Sequence, residues 1–112
     1  MTLSAEELNE RVLLYDDLAG IPTVYLLLNP LTGLVKIGWT QNIGQRVSTL
    51  QRACGTLLDI VGTISPCGTH EHIKRVARAT ERALHEKHAG LREVGEWFRD
   101  SPDIRADFPE WR

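Results

Sequence analysis

A phenol, two cations and one carboxylate follow one another in an order that could serve a phosphate ester. Tyr25 precedes Lys36-Ile37-Gly38 across a turn containing Pro30 and Gly33. Arg46 follows, then Glu81 and His85, and the run closes on Gly95-Glu96-Trp97-Phe98. Hydrolysis of a phosphodiester needs an activated water, a sink for charge on the phosphate oxygens, and help for the departing alkoxide. A guanidinium offers phosphate a planar fork where charge builds up. A single carboxylate is enough to recruit Mg²⁺, which keeps several waters and also takes the substrate's own phosphate. A tyrosine acting as base starts from a pKa of about 10, and an opposed ammonium such as Lys36 would favour its phenolate.

The elements that must position these groups can be read from periodicity. Thr23 to Leu28 and Leu34 to Gly38 are β-branched or aromatic runs separated by Asn29-Pro30-Leu31-Thr32-Gly33, which predicts an antiparallel hairpin. If Leu28 faces Gly33, Tyr25 lies opposite Lys36 and both point to one face, with Val24, Leu26, Val35 and Ile37 on the other. Thr40 or Asn42 can cap a helix whose apolar stripe is Ile43, Val47, Leu50 and Cys54, ended by Gly55, with Arg46 at the stripe's border. Leu57 to Ile64 reads as a third strand. From Thr69 or His70 to His88 runs the longest helix, burying Ile73, Val76, Ala77, Thr80 and Leu84. Lys74, Arg78, Glu81 and His85 make a second stripe beside that one. Ser4-Ala5-Glu6-Glu7 reads as a capping box opening an acidic N-terminal helix, and Ser101-Pro102-Asp103 can start a short final one. The expected organisation is an acidic helix over 1–21 packed on a domain spanning 22–100, with a short helix or tail over 101–112.

Composition bounds the class. A chain of 112 residues fits one domain. No apolar run approaches a membrane span, and the first ten residues lack a secretory pattern, so a cytoplasmic protein is expected. Two cysteines do not make a disulfide framework. The net charge of −2 hides an asymmetry: residues 1–22 carry −4, whereas residues 23–100 carry ten bases against seven acids, +3. That middle segment is mildly basic, as a phosphate-binding surface would be, yet far from a dedicated polycationic binder.

Val24-Tyr25-Leu26, Lys36-Ile37-Gly38-Trp39-Thr40, Arg46, Leu50-Gln51, Glu81-Arg82-Ala83-Leu84-His85, Arg92 and Gly95-Glu96-Trp97-Phe98 together resemble the GIY-YIG nuclease superfamily, in its phage and bacterial branch whose second motif reads K-I-G. The resemblance covers about residues 22–99. It implies an α/β (α+β) domain: a small three-stranded antiparallel sheet flanked by helices, here with an extra N-terminal helix. It further implies a divalent-metal-dependent endonuclease that hydrolyses DNA. Tyr25 would be the base or the group that activates the nucleophile, Arg46 would stabilise the phosphate, and Glu81 would hold Mg²⁺ or Mn²⁺. Lys36 stands in place of the motif's second tyrosine, and Glu96 is the positional candidate for an asparagine found near the end of many members.

Spacing alone also fits a half-buried strand tyrosine, a solvated helix arginine, and a surface glutamate paired with Arg78 or His85. His85, one turn past Glu81, could relay a proton, contact phosphate, or interact with the helix's last turn. Trp39, Arg78 and Lys74 are the expected nucleic-acid contacts. Cys67 and His70, with His85 and His88, resemble two halves of a zinc site. A helix would hold the halves about 21 Å apart, too far for one ion. The alternative to a nuclease is a catalytically weakened module of the same fold that binds nucleic acid or a protein without cleavage.

Overall fold

A computed structural model describes residues 20–66 and 68–108, with the His70 side chain left aside. The expected helix within 1–21 lies outside these residues, except for its last two positions. The elements run β1 (Thr23–Leu28), β2 (Leu34–Thr40), α1 (Ile43–Cys54), β3 (Asp59–Ile64), α2 (His70–Lys87), a 3₁₀ turn (Ala89–Leu91), β4 (Arg92–Val94), β5 (Trp97–Arg99) and α3 (Pro102–Ala106). The fold is α+β. Its sheet has five strands in the order β3-β1-β2-β5-β4, every pairing antiparallel, instead of the three expected.

The two added strands come from the segment around Gly95-Glu96-Trp97-Phe98. Gly95, at φ 55°, takes the left-handed turn that an L side chain resists, so Val94 pairs with Trp97. β5 then docks on β2, placing Phe98 opposite Val35 and Trp97 opposite Lys36. Each strand is three residues long, too short for alternation to be read in the sequence.

The hairpin register differs from expectation by a shift that preserves the faces. Tyr25 pairs with Gly38, and Lys36 with Leu27. The loop has four residues, as expected, but it begins one residue later: Asn29 N–H donates to Leu34 O, and Gly33 N–H to Asn29 O. Gly33, at φ 74°, is spent inside the turn rather than in the ladder. The Asn29 side chain accepts from Leu31 N–H, closing an Asx turn. Moving both ends by one residue keeps the parity, so Tyr25 and Lys36 still share a face. They sit diagonally, not opposite.

The sheet separates two cores. Tyr25, Leu27, Ile43, Val47, Leu58 and Ile60 pack beneath α1. Val24, Leu26, Val35, Ile37, Ala77, Leu84, Phe98, Ile104 and Phe108 pack beneath α2 and α3. The helix ends follow their capping chemistry: Asn42 accepts from Gln45 N–H, Thr69 from His72 N–H and Ser101 from Asp103 N–H, while Gly55 closes α1 at φ 69°. Buried His88 bonds Asp107 at 2.7 Å, tying the end of α2 to α3.

Gly38 is the tightest point of this arrangement. A Cβ there would fall 2.5 Å from Tyr25 Cζ and 2.9 Å from Cε1, and closer still to the hydroxyl. The tyrosine ring therefore lies across the neighbouring strand, in the space that a side chain would fill. The ring is fully buried and cannot retreat. Gly38→Ala should destabilise the fold by about 1–3 kcal/mol. A double-mutant cycle of thermal melts should show a much smaller cost in a Tyr25→Ala background, and equal costs in both backgrounds would refute the contact.

Candidate functional site

β2 is longer than the strand that covers it. β5 pairs with Leu34, Val35 and Lys36 only, leaving the outer edge of β2 uncovered from Ile37 onward. In an antiparallel strand alternate residues present both main-chain groups to the same side, and uncovered groups of this kind need partners. They are found one by one. Ile37 N–H donates to Glu96 O at 3.3 Å. Ile37 O accepts from His85 Nε2 at 2.8 Å. The Trp39 N–H lies toward the Glu81 carboxylate and favours its ionised form. One flank of α2 thus completes the edge with side chains where a strand would otherwise lie.

This explains why Glu81 and His85 are held so firmly. His85 also receives Arg92 Nη2 at Nδ1, 3.3 Å away, and stands edge-on to Phe98 with ring centroids 5.1 Å apart. A guanidinium can only donate and a carbonyl can only accept. Both contacts together describe a neutral imidazole carrying its proton on Nε2. That proton is committed to Ile37 O, so His85 positions the edge, and neither of its nitrogens is left as a relay.

Tyr25 reaches the same place from the other side of the sheet. Its hydroxyl lies over Gly38, between Ile37 and Trp39, and receives Arg46 Nε at 3.4 Å. Arg46, on the exposed side of α1, keeps both Nη groups clear of that bond. Burial pushes the Tyr25 phenol above its ordinary 10.0; Arg46 works against that rise, and Glu96 and Glu81 add to it. Arg46 is held above its ordinary value chiefly by the bond to Tyr25. The expected tuning of Tyr25 by an opposed Lys36 does not occur. Lys36 sits diagonally and gives its ammonium to Glu96 Oε2 at 2.9 Å, 5.7 Å from the centre of the Trp97 ring.

Glu96, which the sequence offered only as a positional candidate, was not among the expected catalytic or metal-binding residues. It stands in the β4–β5 turn, sixty residues from its partner Lys36, and it acts on Tyr25, Arg46 and Glu81 alike. Its one legible signal was its place in Gly95-Glu96-Trp97-Phe98. Burial raises Glu81 above its ordinary 4.5 and the like charge of Glu96 raises it further; positive charge on His85, the Trp39 N–H and Lys36 oppose the rise.

The remaining expected contacts lie further along α2. Trp39 is half-buried beside the second core, and Arg78 Cζ stands 5.1 Å from its ring centre. Lys74 shares a groove of about 320 Å³ with Arg75, Arg78 and Arg82. Among the described residues no three His, Cys, Asp or Glu side chains cluster as a metal cage, and His88 is engaged with Asp107. No helix there is long and apolar enough to cross a membrane.

Fold and site together define a small α+β domain with a polar cluster gathered at a sheet edge. The chain belongs to the T5orf172 domain family, which matches residues 23–111. This overturns the expected membership of the GIY-YIG superfamily: the motifs that carried the resemblance lie within a domain of a different family. The T5orf172 domain is a nuclease-associated domain. Among curated proteins and among solved structures, none matches.

The influence of Glu96 on Glu81 can be measured directly. Glu96→Gln removes a like charge and frees Lys36, and both changes favour the Glu81 carboxylate. Carbon-detected NMR titration should show Glu81 titrating above the ordinary glutamate range in the wild type and at lower pH in the variant. An unchanged midpoint would separate the two carboxylates.

Proposed function

We propose that this chain is an endonuclease that hydrolyses DNA phosphodiester bonds with a divalent cation, Mg²⁺ or Mn²⁺. The observation that carries this reading is the meeting of five groups at the uncovered edge of β2: the Tyr25 hydroxyl, the Arg46 guanidinium, the Lys36–Glu96 pair and the Glu81 carboxylate. Membership of a nuclease-associated family supports the same class.

The donor set suits a hard cation. Both available ligands are carboxylates, and Glu96 makes ionisation of Glu81 less favourable, a conflict that a bound cation removes. Glu81 would hold the ion, with Glu96 beside it; when bound, it supplies Lewis acidity toward a phosphate oxygen and a more acidic water.

The chain's own groups supply the rest. The Arg46 Nη groups meet the non-bridging oxygens, where charge grows as water adds to phosphorus. Lys36 adds a second positive charge within reach of the same oxygens. With its pKa raised, Tyr25 carries its proton at neutral pH. Its oxygen accepts from Arg46, so the O–H remains a donor for the phosphate or for the alkoxide as the P–O bond breaks. Tyr25 thus serves more naturally as a donor than as the base implied by the resemblance.

A second reading has a specific observation in its favour. The Lys36 charge is already neutralised by Glu96, and the phenol is protonated, as suits a module that binds DNA without cutting it. Plasmid nicking distinguishes the two. Wild-type protein should relax supercoiled plasmid with Mg²⁺ or Mn²⁺ and not in EDTA. Glu81→Gln, whose amide oxygen can still accept from Trp39 N–H, should abolish nicking while the fold persists. Arg46→Ala should lose roughly 10²–10³-fold in rate. DNA binding without nicking under any metal would decide for the second reading.

A further inference from the structure

Apart from Arg46 and Arg52 on α1, the cations of the described residues divide into two groups. Lys36, Lys87, Arg99 and Arg105 are each paired with a carboxylate. Lys74, Arg75, Arg78, Arg82 and Arg92 make no such pair among the described residues, and they lie in one continuous run. The first four line the groove on the outer flank of α2. Arg82 also lines a second groove of about 430 Å³, shared with Arg92, Glu81 and His85. Arg82 is thus common to both hollows, and Glu81 and His85 of the candidate site line the second. Glu71 and Glu86 are the other acids in their walls, so positive charge prevails along the path.

Arg92 is oriented without a carboxylate. Its guanidinium lies 5.5 Å from the centre of the Phe98 ring, and one nitrogen rests on the Nδ1 lone pair of His85. A guanidinium fixed by an aromatic face and a neutral acceptor keeps its charge and most of its donors for an anion. Arg78 is placed comparably by Trp39, 5.1 Å away.

We infer that the bound DNA strand runs lengthwise along α2, with Arg82 and Arg92 gripping the phosphate next to the one at Glu81, and Arg78, Arg75 and Lys74 following the backbone away from it. This rests on the reading above that the site takes a phosphodiester. Lys74 lies two helical turns before Glu81, about 10 Å along the axis. At about 3.4 Å of rise per nucleotide, that reach covers roughly three nucleotides on one side of the scissile bond. Arg92 adds one or two on the other side. The substrate is thus an extended strand of about five nucleotides at least, and a dinucleotide would leave most of the path empty.

Binding measured in EDTA, where nothing is cut, tests the path separately from hydrolysis. Anisotropy of labelled DNA, with the full chain and across a range of salt, should show affinity climbing with strand length to about five nucleotides and then levelling. Arg82→Ala, Arg75→Ala and Lys74→Ala should each reduce the salt slope by about 0.7, the loss of one phosphate contact on a single strand. Arg52→Ala, which removes an exposed cation from α1, should leave the slope unchanged, and thermal melts would confirm that all the variants are folded. DNA binding with unaltered slopes in the three α2 variants overturns the path and leaves the hydrolase reading standing. Wild-type protein that binds no DNA overturns the path as well, and plasmid nicking then judges the hydrolase reading on its own.

Discussion

A missing β-carbon governs this molecule. Because Gly38 has no side chain, the Tyr25 ring can lie across β2 and set its hydroxyl over the neighbouring strand. There it meets a guanidinium from α1 and comes within the electrostatic reach of carboxylates from α2 and the β4–β5 turn. Groups from both faces of a sheet normally cannot meet, since the sheet stands between them. Here they meet because one residue leaves a gap and the strand beside it ends early.

The electrostatics of the cluster oppose folding more than they favour it. Glu81 is drawn into a partly buried position next to another acid, and its carboxylate form is disfavoured there. Tyr25 is buried with its hydroxyl served by a single long bond. Lys36 is almost wholly buried and depends on Glu96 for compensation. A stretch chosen for stability alone would fill these positions with apolar side chains. That it does not makes the place a candidate site.

Much of the fold could be read from the chain, and the failures have definite causes. The α1 and α2 boundaries follow from Asn42, Gly55 and Thr69, whose side chains or backbone freedom cap helices by local chemistry. The faces of the hairpin were right because parity survives a two-residue shift. The partner of Tyr25 was wrong because Gly33 was needed inside the turn. β4 and β5 escaped notice because three-residue strands carry no period, and the pairing of Glu96 with Lys36 escaped because it spans sixty residues. The tripeptide motifs led to residues that the fold gathers near one sheet edge but assigned the wrong family, since a short motif constrains a local shape more than an ancestry.

The way the outer edge of β2 is finished has a consequence for how this protein behaves among copies of itself. A strand left open is a template on which a foreign chain can stack, the first step toward ordered aggregates. Here Glu81, His85 and the Glu96 carbonyl already occupy the donors and acceptors that such a guest would need. The same side chains proposed for chemistry also act as a stopper, so the protein protects this stretch of β2 without spending a proline or a bulge on it.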